Sequence, residues 1–145
     1  MTDDRPVLNQ INFVVRDMDA MLAFYSMLGV DIPPANPPWG QHHHSASTTS
    51  GLDLDFDSTA FAAKWDEGWP AGHTGPVIGF SFPTRAAVDT TYAKLIDAGY
   101  TGQQPPWDAF FGARYAVVVD PENNIVGLMS PVDPARRWSI DPPSA

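Results

Sequence analysis

One order of elements is written twice in this chain, and that repetition limits its folding more than any other feature. A strand, a helix and a glycine stop succeed one another around Phe13, Asp17, Tyr25 and Gly29, and again around Phe80, Thr84, Tyr92 and Gly99. In the first half, Val7 to Arg16 alternates as a strand, with Ile11, Phe13 and Val15 on one face and Gln10, Asn12 and Val14 on the other. Asp17 or Asp19 caps a helix whose apolar stripe is Met18, Met21, Leu22, Tyr25 and Leu28, and Gly29 ends it. In the second half, Ile78, Phe80 and Phe82 share a strand face. Thr84 then caps a helix striped by Val88, Tyr92, Leu95 and Ile96. Further strands follow each helix, so the order is β-α-β-β-β, twice. Neither half is large enough to bury its own sheet, and the two must pack together.

The remaining segments fill in this plan. Ile32 to Gly40 is too rich in proline for a central strand, and reads as an edge strand breaking into a loop that carries Trp39. Gln41 to Thr49 is a polar strand, and Leu52, Leu54 and Phe56 alternate with Asp53, Asp55 and Asp57 in another. Ser58 to Gly75 is a connection with a short helix from Thr59 to Trp65. A short strand from Tyr100 to Gln103 and a loop from Gln104 to Gly112 precede a closing hairpin. There Tyr115 to Val119 and Ile125 to Met129 are joined by Asp120-Pro121-Glu122-Asn123-Asn124, in which an asparagine takes the left-handed conformation. One domain over 1–145 is expected, with modules at about 6–58 and 76–132, a connection at 59–75 and a C-terminal tail at 133–145, of which Asp141 to Ala145 reads as loose.

At 145 residues, 43% of them hydrophobic, the chain can bury a real core. Its net charge of −9 argues against nucleic-acid or anionic-membrane partners, which need a basic face. Cysteine is absent, which excludes disulfides, thiolate metal sites and cysteine nucleophiles. The N-terminal residues show no apolar targeting core and no apolar run is long enough to span a bilayer, so a cytoplasmic location is expected. Phosphate loops, nucleophile elbows and HExxH helices are also missing.

With QINFVVRDMDAMLAFYSMLGV, VIGFSF and GARYAVVVDPENNIVGLM in view, the chain resembles the vicinal oxygen chelate superfamily, the glyoxalase/bleomycin-resistance/dioxygenase proteins. The resemblance runs from Leu8 to Pro131. It implies an α+β fold of two paired βαβββ modules, with curved mixed sheets enclosing a cleft and helices on the outer faces. A homodimer is also expected from it. Metal-dependent members place His, Gln or Glu in the first strand of each module and Glu in the last. By position these fall on Gln10, Val77 and Gly127, with the first module's late position somewhere in Asp53 to Asp57. Val77 and Gly127 carry no donor, so the resemblance implies that the usual divalent site is lost and that these two residues floor the cavity instead.

Other residues suggest what a cleft would use. Alternation puts His42 and His44 on one strand face and His43 on the other, so a His42/His44 pair could reach a metal or polarise a ligand carbonyl, and alternation alone does not say which face turns to the cleft. A polar edge strand with half-exposed imidazoles is the blander reading. Asp53, Asp55 and Asp57 read as a solvated strand end, because three carboxylates lining a dry cleft are costly; the sharper reading makes one a general base or metal ligand. Aromatic residues concentrated in loops suit stacking on a flat ligand.

The reading that results is a metal-independent small-molecule-binding protein, similar to the antibiotic-sequestering members, holding an apolar or aromatic ligand with no cofactor. Gln10, Asn12, Trp39, His42, His44, Ser81, Trp107, Phe110 and Tyr115 are its expected contacts. The alternative is a glyoxalase-like lyase or isomerase with a divalent metal ion held by Gln10, His42 or His44 and an Asp of the 53–57 strand. A third reading, a structural module, would show a cleft filled by its own side chains.

Overall fold

The computed structural model describes residues 4–143. Its frame is a single mixed sheet whose strands run, from one edge to the other, 43–47, 53–58, 7–15, 75–81, 125–129, 114–119 and 101–108. Strand β1 (Val7–Val15), helix α1 (Met18–Leu28), β2 (His43–Ser47) and β3 (Asp53–Ser58) make the first module. Helix α2 (Thr59–Trp65) opens the connection. Strand β4 (Gly75–Ser81), helix α3 (Arg85–Asp97), β5 (Thr101–Asp108), β6 (Arg114–Val119) and β7 (Ile125–Met129) make the second. The sheet is open, and the modules join where β1 pairs antiparallel with β4. The two expected sheets are therefore one continuous surface.

Local chemistry sets the element ends. Asp17 accepts from the Ala20 N–H at the start of α1, and Gly29, at φ 112°, closes it. Thr84 accepts from the Ala87 N–H to start α3. In the β6–β7 turn, Asn123 takes φ 67° while the Asp120 carboxylate accepts from the N–H groups of Glu122 and Asn124.

Helices α1 and α3 lie on one side of the sheet. Under α1, Val15, Met18, Leu54 and Phe56 are buried with Phe13 and Tyr25 against them. Under α3, Phe82, Val88, Ala116 and Leu128 are buried. Helix α2 departs from the expected plan, since Phe61, Ala62 and Trp65 pack on the other face with Val77, Tyr115, Val117 and Ile125.

Several expectations need correction. Residues 32–38 form no strand: Pro33, Pro34, Pro37 and Pro38 lack the N–H groups a ladder requires, so the first module is β-α-β-β. Conversely β5 runs through Pro105-Pro106 to Asp108, which an irregular edge strand tolerates. Leu28, placed on the apolar stripe, is 67% exposed at the end of α1. The C-terminal tail is docked ahead of its 141–145 end, with the Asp133 N–H on the Gly112 carbonyl and the Trp138 N–H on the Phe110 carbonyl; its last two residues lie outside the described range.

Candidate functional site

The strand pairings lay out the cleft face residue by residue. Ile11 of β1 sits opposite Ile78 of β4, with Gln10 facing Gly79 and Asn12 facing Val77 on either side. Gln10 and Val77 are thus equivalent positions about a local twofold. Carried outward, Gln10 pairs with Asp53 and Val77 with Ile125, so Asp55 and Gly127 are also equivalent, each two residues further on. His43 opposite Asp57 matches Tyr115 opposite Met129 in the same way. Polar side chains occupy one half of this face and apolar ones the other.

Over the polar half lies a cavity of about 830 Å³. Gln10, Asn12, His43, Ser45 and the three aspartates of β3 line it, with walls from Trp39, Phe61, Trp65, Phe110 and Tyr115. The C-terminal segment contributes Arg137 to Ile140. Over the other half, Val77, Val117 and Ile125 are packed in one cluster with Trp65, Trp69 and Tyr115. Among the described residues, that half of the cleft is filled by the chain's own side chains and the polar half is not.

Asp57 is the most constrained group of the site. It is 2% exposed, and it accepts from Asn12 Nδ2 at 2.9 Å and Trp65 Nε1 at 3.0 Å. Its other oxygen lies 2.6 Å from His43 Nδ1. That contact assigns the Nδ1 proton of a neutral ring and leaves Nε2 without a partner among the described residues. Burial lowers the His43 pKa, but the Asp57 bond and the charges of Asp57 and Asp55 outweigh it, and the net shift is upward. Asp55 accepts from Ser45 Oγ at 2.6 Å and Gln10 Nε2 at 2.9 Å. Burial, reinforced by the neighbouring Asp57 charge, pushes its pKa up to about 6. Burial and the carboxylates of Asp66, Asp57 and Asp55 hold the Tyr115 hydroxyl protonated, far above its ordinary value.

The expected contacts divide. Gln10, Asn12, Trp39, Phe110 and Tyr115 meet around the cavity. His42 and His44 do not. His42 bonds Ser58 Oγ, and His44, 7% exposed, lies between the carbonyls of Pro33 and Gly40, filling space left by the missing edge strand. It is His43 that lines the cavity. Ser81 lies at the module junction, in register with Val7 and Met129 and away from the cavity lining. Trp107 sits behind Phe110 with its ring 6.3 Å away, outside the lining. The aspartates are not a solvated strand end: Asp55 and Asp57 are buried, their cost offset by the donors of Gln10, Asn12, Ser45, His43 and Trp65.

The implied divalent site does not fit these residues. Val77 and Gly127 offer no donor atom, and Val77 is 2% exposed inside the packed cluster. Neither residue floors the open cavity, contrary to expectation. A Cβ on Gly127 would lie 2.9 Å from the Tyr115 hydroxyl, so tyrosine occupies the space a glutamate would need. The rewired set fails as well, because His42 and His44 are turned to other partners. Among the described residues no group of three or more His, Asp or Glu side chains is arranged to hold a metal.

The family model for the Glyoxalase/Bleomycin resistance protein/Dioxygenase superfamily matches residues 7–128. The chain belongs to that superfamily. No curated protein sequence matches it. Among solved structures it is similar to one described as an NAD-dependent benzaldehyde dehydrogenase from Legionella pneumophila, at 20% identity and a TM-score of 0.62, covering 84% of this chain and 97% of that one. A Mn(II)-bound glyoxalase from Novosphingobium aromaticivorans matches at 16% identity and a TM-score of 0.60, over 92% of this chain and 42% of that one. A methylmalonyl-CoA epimerase in complex with methylmalonyl-CoA and NH4+ matches at 19% identity and a TM-score of 0.51, over 86% and 94%. At these identities the likenesses establish the fold, and the chemistry rests on the site. Among the described residues no helix is long and apolar enough to cross a membrane.

Proposed function

We propose that this superfamily member binds a small organic molecule, with an aromatic or apolar body, in the cavity over its first module, and does so without a divalent ion. One observation carries the reading: at the two second-module metal positions stand Val77 and Gly127, and the Tyr115 hydroxyl fills the space over the latter. The superfamily's cleft is kept, with room for a ligand and aromatic walls, while its ion site is dismantled. Sequestration, as in the antibiotic-binding members, needs nothing more.

Native mass spectrometry and calorimetric titration of untagged protein with Mn²⁺, Ni²⁺ and Zn²⁺ test this. The expected result is no stoichiometric ion and a co-purified or added organic ligand in the cavity. A stoichiometric divalent ion that is lost in Gln10→Ala or Asp55→Ala overturns it.

The His43–Asp57 pair supports a second reading, acid–base catalysis without metal. A buried carboxylate fixes the ring, and Nε2 is the free nitrogen on a cavity wall, the arrangement a general base needs. Under this reading the bound molecule changes on incubation with the wild-type protein and stays unchanged with His43→Gln, although both bind it. Equal stability of the molecule with either protein rejects catalysis and leaves binding.

A further inference from the structure

The polar floor of the cavity is short of positive charge and of hydrogen-bond donors. Of its three carboxylates, Asp57 alone among the described residues bonds directly to a basic side chain, His43, whose charge reaches Asp55 only at longer range. Asp55 has two neutral donors, Ser45 and Gln10, and Asp53 has a long contact of 3.4 Å from Ser47. Arg137 reaches the cavity from the C-terminal segment, but forms no ion pair with any of the three among the described residues. Asn12 adds a second, independent sign. It is 8% exposed, its Nδ2 is spent on Asp57, and its Oδ1 is buried without a partner among the described residues. Asn12 is also the register partner of Asp55 across β1 and β3, so an orphan acceptor lies beside the carboxylate whose hydrogen-bond donors are both neutral. Leaving a buried acceptor unpaired is costly, and it marks this end of the cavity as short of donors.

Resting on the binding reading above, we propose that the ligand is an organic cation, a primary or secondary ammonium on an aromatic or apolar body, whose N–H groups are received by Asp55 and Asp53 beside Asn12. The body lies against Trp39, Phe61 and Phe110, whose ring faces also attract a cation. The chain's net charge of −9 favours the approach of such a ligand and disfavours an anion. Binding forms no covalent bond and moves only the proton that Asp55 gives up at low pH.

The pH dependence follows from the titratable groups around Asp55: Asp53 and Asp57 on its own strand, His43 on β2 and the neutral Tyr115 hydroxyl on β6, with Arg137 elsewhere on the cavity lining. With its pKa at about 6, Asp55 is protonated in acid, and an ammonium must displace that proton. Affinity therefore rises as pH increases through about 6. It gains again as His43 loses its proton above that, because a competing cation disappears.

Three probes of one size decide the matter: 2-phenylethylamine, 2-phenylethanol and phenylacetate. Each is titrated into full-length protein, followed by calorimetry and by the side-chain amide NMR signals of Gln10 and Asn12. The expected order is ammonium over alcohol over carboxylate, with at least about tenfold between first and last. Asp55→Asn collapses that order, and the wild-type pH profile provides a readout that needs no variant. Equal binding of the three probes, or a profile that falls with pH, overturns the charge preference and leaves the cavity as a binding site. Failure of all three to bind, the neutral alcohol included, overturns both readings.

Discussion

The hydroxyl of Tyr115 stands over Gly127, where an added Cβ would lie 2.9 Å away. Tyr115 is itself held, 8% exposed, with its ring edge-on to Trp65 and Phe111. Gly127→Ala therefore overpacks a closed cluster and should cost about 1–3 kcal/mol, read as a lowered urea midpoint. Tyr115→Phe added to Gly127→Ala removes the clashing oxygen and should recover most of the loss. If Gly127→Ala is neutral alone, the tyrosine does not seal the lost ligand position.

Asp57 sits at the centre of a donor set made of His43, Asn12 and Trp65. Asp57→Asn turns one accepting oxygen into a donor facing donors, and should cost about 3 kcal/mol. The same change reverses the His43 shift. Burial lowers the pKa and Asp57 raises it, so without the carboxylate burial prevails and the value falls below the ordinary 6.5. Because the native value is raised, this pair stabilises the fold below the unfolded pKa. The contribution is lost as pH rises through the folded one. A two-dimensional NMR titration of the imidazole reads the effect, and an unchanged His43 pKa in Asp57→Asn refutes the pairing.

The doubled strand–helix order, the caps at Asp17 and Thr84 and the turn at Asn123 were legible because each is local chemistry written in adjacent residues. The site was legible only in part. Gln10 and Asn12 follow from alternation against Ile11 and Phe13, which must face helix α1. His43, and not the His42/His44 pair, lines the cavity, and the sequence carries a signal for it. Ala46 is the one apolar residue in QHHHSASTT and shares its parity with His44, which puts both on the buried outer face and turns His43 and Ser45 inward. The burial of Asp55 and Asp57 is not legible in sequence, because its cost depends on donors from β1, β2 and α2 that only the sheet register brings together. The docked C-terminal segment has no periodic signal at all. It is held by backbone hydrogen bonds to Phe110 and Gly112, which side-chain pattern does not report.

Asp55 makes the fold less stable as pH rises. Its folded pKa, about 6, is above the ordinary 3.8, so between these values the folded state holds more protons than the unfolded one. Stability is complete below about pH 4 and declines through about pH 6, by an amount on the order of 3 kcal/mol at most. Asp55→Asn removes this term without orphaning its partners, since the Gln10 amide can rotate to present its oxygen and Ser45 can accept. The variant should gain on the wild type in urea midpoint at pH 7.5 and lose that advantage near pH 4. A midpoint difference that does not change with pH would mean that Asp55 titrates normally.

Gly112 makes the docking of the C-terminal segment feasible. Its φ is +91°, and a Cβ there would lie 2.5 Å from the Asp133 carbonyl oxygen and 3.0 Å from Arg137 Cγ. Gly112→Ala both strains the turn and pushes that backbone away. The Trp138 N–H bond to Phe110 follows in sequence and should weaken with it. Arg136 and Arg137 are then the natural reporters, because trypsin cleaves after arginine only where the chain can leave its seat. Cleavage after these two residues should be slow in the wild type and about tenfold or more faster in Gly112→Ala, as the opening equilibrium shifts by about 1–3 kcal/mol. Because Arg137 to Ile140 form part of the cavity lining, the same variant should also bind 2-phenylethylamine more weakly. Equal cleavage rates in the two proteins would show that the segment is held by something other than its seat on Gly112.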